Sequence, residues 1–254
     1  MKSAIKFVII FLCFSISAMP DKIKMYALYT PSHEILVHRF FKPSLIDPNI
    51  ELVLVKVPEQ TCQSAQFMNE GWTKTTIQKI ELVLRAIDEN WGSFFILSDV
   101  DIQFFGNFSD MLRQLMRGHD LLIQRDNPKG TLCSGFFICQ ANEKTRTLFS
   151  DVLAHMKNNP DISDQRSLNQ HISRNQKNNR YGIVWDYLPE QYFFGGGTFT
   201  GVYWDEGVEM HIPKQPVMHH ANWVKGVPGK IRQLRHVKKI VKSNQKYIES
   251  ATSY

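Results

Sequence analysis

The chain has little cysteine. Four are present among its 254 residues, and Cys13 lies in an N-terminal apolar run. Cys62, Cys133 and Cys139 remain, an odd number with no metal-type spacing. A cysteine-bound metal and a disulfide-dense scaffold are thereby excluded. One disulfide stays open. Cys133 and Cys139 are six apart on a strand-like stretch, where they share a face but do not close a bond easily. Beyond residue 20 no stretch is long and apolar enough to span a bilayer, which takes about twenty residues. No internal repeat or long low-complexity tract is visible. Gly195-Gly196-Gly197 has the freedom of a turn, but no helix pattern or Lys-Ser/Thr follows it, so it is read as a hairpin rather than a phosphate cradle.

A general basic surface is also missing. The net charge is +6, yet residues 225–254 alone hold eight Lys and Arg against Glu249. That local +7 leaves −1 for the rest. Ile231, Leu234, Val237 and Val241 recur there at helical spacing, which predicts an amphipathic helix. Packing on the domain is the first reading of this helix, and contact with an anionic membrane surface is the second. Nucleic acid is not expected as a partner, because no nucleic-acid module accompanies the charge.

What is present begins with the N-terminus. Lys2 and Lys6 precede the apolar run Phe7–Phe14, and Ser15-Ile16-Ser17-Ala18 offers small residues for cleavage. Residues 1–20 therefore read as a secretory signal or short signal anchor, and predict export or a secretory-pathway lumen. The remaining length suits one large domain or two small ones, and 43% hydrophobic residues is ordinary for a globular core.

Strand and helix patterns then alternate. Strands are predicted at Lys24–Thr30, Glu51–Val57, Phe94 to Ser98, Asp120–Gln124 and Gly135–Cys139. Helices are predicted at Glu34–Leu45, Trp72–Asn90, Phe108–Arg117 and Glu143–Lys157, and a short one from Asp164 with Ser163 as N-cap. The alternation predicts an α/β fold with a mostly parallel sheet flanked by helices. Ligands of such sheets bind beyond the carboxyl ends of the strands. There the first strand ends in Thr30-Pro31-Ser32, small groups suited to a base-binding cleft.

The most informative end is Phe94-Phe95-Ile96-Leu97-Ser98-Asp99-Val100-Asp101. An apolar run stops at two carboxylates one residue apart. Such a pair is costly to ionise without a cation beside it. Mg2+ and Mn2+ take carboxylate and phosphate oxygens together, so the pattern points to a metal–diphosphate site. Its plain alternative is a helix cap or surface turn.

Four landmarks follow in order: Ser-Asp-Val-Asp (98–101), Cys-Ser-Gly-Phe-Phe (133–137), Asp-Gln (164–165) and His-His-Ala-Asn-Trp-Val-Lys-Gly (219–226). With them the chain resembles the nucleotide-diphospho-sugar transferase family, whose members are glycosyltransferases of the single-domain GT-A fold with a Rossmann-like nucleotide-binding half. The resemblance covers about residues 22–235 and leaves 236–254 as a basic helix and tail. It implies a hexosyl- or pentosyltransferase of the retaining type with a nucleotide-sugar donor, a UDP-sugar first, and a glycan, protein or lipid acceptor. It implies Mn2+ or Mg2+ held by Asp99, Asp101 and His220, with His219 as the competitor for the histidine position. It also implies Asp164 on donor-sugar hydroxyls and Gln165 near the anomeric carbon. Thr30, Lys79, Asp99, Lys225 and Lys230 become donor contacts, the last two on a closing loop. Gly135 either lets the backbone approach the donor or serves packing. The competing classes are a binding or effector protein without catalysis and a metal-dependent phosphoesterase. The second would want more His and Asp ligands than cluster here.

Overall fold

The structure, a computed structural model, describes residues 21–62, 71–172 and 180–251, with side chains described to residue 245. The segment read as a signal, 1–20, lies outside the described residues. A six-stranded sheet organises the rest. Its strands are β1 (Ile23–Tyr29), β2 (Ile50–Lys56), β3 (Phe94–Ser98), β5 (Leu121–Arg125), β6 (Leu132–Gln140) and β7 (Trp185–Tyr187), in the order β2-β1-β3-β6-β5-β7. β1 pairs parallel with both β2 and β3, and β5 with β7. β6 alone runs against its neighbours β3 and β5. The sheet is thus mostly parallel, with one reversed strand supplied by the β5–β6 hairpin.

Both faces of the sheet are buried. Tyr26, Leu97 and Phe137 point into one core, with Ile80 and Val83 of α3 (Trp72–Glu89) and Phe149 and Val152 of α5 (Glu143–Asn158). Met25, Ala27, Ile96, Phe136 and Ile138 point into the other. Successive strand residues alternate between faces, which explains why these strands read as continuous apolar runs.

The helix predicted at Glu34–Leu45 is instead three joined pieces. α1 (Glu34–Leu36) passes through a π-helical turn at Val37–Phe41 into α2 (Lys42–Ser44). Pro43 has no N–H to donate, and the regular ladder is interrupted there. The widened turn buries Val37, Phe40 and Phe41.

A second, three-stranded sheet completes the site. β4 (Ile102–Phe104), β9 (Met218–His220) and β8 (Phe193–Gly195) lie in the order β4-β9-β8. β4 and β9 are antiparallel, with Ile102 opposite His220. α7 (Gly226–Ala251) then packs its apolar stripe inward. Leu234, Val237 and Val241 are fully buried, against Leu36, Phe40, Ala221 and Phe194. Lys238, Lys239 and Lys242 remain exposed. The helix runs on through most of the segment read as a basic helix and tail, to Ala251. Among the described residues no helix is long and apolar enough to cross a membrane. Cys133 and Cys139 are buried free thiols, so the pair on β6 is not bridged.

Candidate active site

Asp99 and Asp101 stand where the chain leaves β3 for β4. The backbone fixes both. Asp99 N–H donates to the Gly135 carbonyl at 2.6 Å, and the Asp101 carbonyl accepts from Ala221 N–H at 2.8 Å. The second bond ties the β3 end to β9 and brings His220 Nε2 to 3.3 Å from Asp101 Oδ1. Asp99, Asp101 and His220 each offer a ligand atom, all within 4.8 Å of one another. Two carboxylates and an imidazole suit Mn2+ or Mg2+ better than a soft metal.

Adjacent strand residues face opposite ways, and here that separates the two histidines. His220 turns to the carboxylates. His219 is fully buried against the Phe194 ring, at 4.5 Å between centroids. Burial holds its imidazole down at about 3, so it stays neutral. Gln124 orients His220. Its Oε1 accepts from Nδ1 at 2.9 Å, with Cys133 Sγ at 3.6 Å from the same nitrogen. A proton fixed on Nδ1 leaves Nε2 as the nitrogen presented to the carboxylates. The aim of Gln124 depends on an irregularity in the β5–β6 register. Ile123 lies opposite Phe137, but Gln124 lies opposite Cys133. Bulges of this kind re-aim side chains beside sites.

Gly135 lies in the stretch that leaves the β5 ladder. A Cβ there would sit 2.3 Å from His220 Cε1 and 2.7 Å from Asp99 Oδ2. Of the two readings of this glycine, close packing beneath two candidate ligands is what the geometry shows. Gly135→Ala is expected to weaken Mn2+ binding about tenfold or more, the range seen when groups behind metal ligands are disturbed. Titration calorimetry with Mn2+ checks this, and unchanged affinity would mean that the ligands accommodate the methyl group.

The charges around the carboxylates are arranged in two pairs. Lys79, on α3, is buried with Nζ 2.6 Å from Asp164 and 3.2 Å from Asp99. Burial alone would lower its pKa, but the two carboxylates raise it, so the ammonium persists. Burial pushes the Asp99 carboxyl up, against the pull of Lys79. Burial would do the same to Asp101, but Lys230 and His220 hold it well below the usual carboxylate range. Lys230 bonds Asp101 Oδ2 directly. It lies in the first turns of α7, not on a loop. Burial likewise opposes charge on His220, yet Asp101 pushes its imidazole up to about 10.

Asp164 opens α6 (Asp164–His171), but the cap is Ser163, whose Oγ accepts from Arg166 N–H at 3.1 Å. The Asp164 side chain instead takes Lys79 and the Ser134 hydroxyl, the latter at 2.8 Å. Gln165 Oε1 accepts from Ser134 N–H at 3.3 Å. The Asp164 side chain thus plays no part in capping the helix it opens.

These groups form a wall between two chambers. Trp72, Lys79, Asp99, Asp101 and Lys230 line both. The first chamber, about 620 Å3, holds Thr30 at the end of β1 with His33 and Thr76. Thr30 Oγ1 lies 3.1 Å from Ser32 Oγ and 3.0 Å from His33 Nδ1. Burial, with Lys230 nearby, lowers His33 to about 4. The second chamber, about 1200 Å3 including its open mouth, holds Gly135, Asp164, Gln165 and His220. Lys225 is exposed on its lining, on which Lys79 and Lys230 also stand. Sequence reasoning missed His33, Gln124, Ser134 and Asp126. Asp126 alone had a readable signal, because it ends a strand as Asp99 does.

Comparisons with known proteins fit this arrangement. Residues 48–234 match the family described as nucleotide-diphospho-sugar transferase. The chain belongs to this family. Its fold is similar to that of a glycosyltransferase involved in the glycosylation of the major capsid of PBCV-1 (TM-score 0.54, 9% identity), over 86% of this chain and 100% of the other. It is also similar to the apo form of the glycosyltransferase GlyE of Streptococcus pneumoniae TIGR4 (TM-score 0.54, 12% identity), over 90% of this chain and 64% of the other. At such identities the likeness concerns the fold, which is the GT-A glycosyltransferase fold. No curated protein matches the sequence significantly.

Proposed function

We propose that the protein is a metal-dependent glycosyltransferase that moves a hexosyl or pentosyl group from a UDP-sugar to a hydroxyl acceptor with retention. One observation carries the reading. Asp99, Asp101 and His220 converge on one point, beside the Lys79–Asp164 pair and between two chambers. In it, the nucleoside occupies the first chamber, by Thr30 and His33, and the sugar lies in the second, by Asp164 and Gln165. The divalent ion supplies Lewis-acid stabilisation of the charge that builds on the leaving diphosphate. Lys230 and Lys225 add positive charge on the same side. Asp164, fixed by Lys79 and Ser134, holds donor-sugar hydroxyls. Gln165 presents its carboxamide to the reacting carbon. The N-terminal segment fits delivery to a secretory-pathway lumen, and the exposed lysines of α7 fit contact with an anionic membrane surface.

The test is calorimetry. UDP is expected to bind with Mn2+ present and to lose its affinity on chelation. Equal affinity with and without the ion overturns the reading. UDP binding with no donor turnover, by hydrolysis or transfer, would instead favour an effector protein on the same fold. The ion must also displace a proton. With His220 held up near 10, Mn2+ affinity is expected to rise steadily from pH 6 to pH 9, with proton uptake by the buffer. A flat profile would mean that His220 is not a ligand.

Asp164→Asn separates the two ends of the donor. Turnover is expected to fall about a hundredfold, as when one preorganised polar contact is lost, while UDP affinity stays within about twofold. Steady-state kinetics beside UDP titration reads both. Unchanged turnover would make Asp164 a structural partner of Lys79 only.

A further inference from the structure

The second chamber extends past the residues just assigned. Beyond Gln165 stands Asp126, which follows β5 and is 6% exposed. Two side-chain amides donate to this carboxylate. Asn222 Nδ2 reaches Oδ1 at 3.2 Å and Asn127 Nδ2 reaches Oδ2 at 3.1 Å. Trp223 and Gln165 line the same chamber as this carboxylate. Trp223 in turn packs against Tyr203, at 5.3 Å between ring centroids and 49° between planes. Tyr203 is 53% exposed and lines the chamber. A continuous row therefore runs from the reacting end outward: Gln165, Asp126, Trp223, Tyr203.

This row is held at a cost. Trp223 has φ +52°, and it is the one non-glycine residue at positive φ among the described residues. For an aromatic residue that conformation is strained and persists where surroundings enforce it, often at ligand sites. Gly197 makes room for its ring, since a Cβ there would lie 2.3 Å from the indole. A half-exposed tyrosine on a strained tryptophan, over a buried carboxylate, is not explained by packing of the core.

We propose that this row is the acceptor site and that the acceptor is a carbohydrate. A sugar ring rests on the Tyr203–Trp223 pair and turns a hydroxyl in to Asp126. The inference rests on the glycosyltransferase reading and names its acceptor class. Pyranose rings have an apolar C–H face and a hydroxyl rim, and the row offers aromatic surface beside a fixed acceptor in the same order. A lipid would want a continuous apolar channel, whereas carboxylates and amides line this end. In the transfer, the acceptor oxygen bonds to the anomeric carbon as that carbon's bond to the diphosphate oxygen breaks. The bonding pair leaves with the diphosphate, whose oxygen receives the acceptor proton. Asp126 orients the acceptor and takes no proton.

The experiment is saturation-transfer difference NMR on the full chain with UDP and Mn2+. The probes are lactose, cellobiose, maltose, chitobiose and mannobiose. At least one is expected to show contact, strongest on the C–H protons of one ring face. Tyr203→Ala, an exposed change, and Asp126→Asn should each cut that signal about tenfold, as expected when a polar or stacking contact is lost from a bound sugar. UDP affinity should be unchanged in both. Sugar contact that survives both substitutions overturns the proposal. So does the absence of contact from every sugar, or binding of a Ser/Thr peptide or a polyprenyl phosphate in their place. If UDP itself fails to bind the wild type with Mn2+, it is the glycosyltransferase reading that has failed.

Discussion

Asp101→Asn is expected to abolish Mn2+-dependent UDP binding and to lower turnover by on the order of 10²–10³. Asp101 touches everything that makes this point of the structure a site. It bonds Lys230 and lies 3.3 Å from His220 Nε2, with 5% of its surface exposed. The amide keeps the shape but removes the charge that both cations face. His220 should then lose its proton more readily, because Asp101 is the group that raises it. Histidine NMR as a function of pH follows that change independently of catalysis. If the variant binds Mn2+ and UDP like the wild type, Asp99 and His220 suffice and Asp101 is a structural partner of Lys230.

Lys79→Met is expected to give the largest loss of stability. The ammonium separates a buried carboxylate, Asp164 at 2.6 Å, from a part-buried one, Asp99 at 3.2 Å. Removing one partner of a buried ionic group typically costs about 3–5 kcal/mol, because the remaining charge is left uncompensated. The pH dependence carries the sign of the cause. In the variant, Asp99, whose carboxyl burial already pushes up against the pull of Lys79, lies still further above its unfolded value. The deficit should therefore be smallest below about pH 4, near the unfolded carboxylate range, and grow as pH rises. Urea unfolding at several pH values measures it. A loss below about 1 kcal/mol, or one independent of pH, would show that water already screens the pair.

Some of this was legible in the sequence and some was not. The strands around Asp99 were readable because both sheet faces are buried, so Phe94–Leu97 and Phe136–Ile138 are apolar throughout. Asp99, Asp101 and His220 were readable as a set because their order in the chain matches the family's order. The reversal of β6 was not readable, since a strand's period is the same whichever way it runs. The pairing of Lys79 with Asp164 joins residues 85 positions apart, and nothing local marks it. The same holds for Gln124, which looks like one more polar residue at the end of a strand until the register irregularity aims it at His220. The π-helical turn at Val37–Phe41 escaped because its apolar spacing still fits an α-helix. Lys230 was expected on a loop and stands on α7, because Gly226 begins the helix earlier than the apolar stripe suggests.

The order in which the site's parts occur along the chain has a consequence for biogenesis. Asp99 and Asp101 belong to the central strands, whereas His220 and Lys230 come from β9 and α7, more than a hundred residues later. A chain grows from its N-terminus, and the sheet can begin to collapse before these late parts emerge. Until β9 and α7 dock, the two carboxylates lack the nearby histidine, and Asp101 lacks Lys230. A polypeptide interrupted before β9 would thus keep much of its hydrophobic core yet have no complete metal-binding triad. The candidate site is therefore complete only once β9 and α7 have been made, whatever the state of the sheet before then.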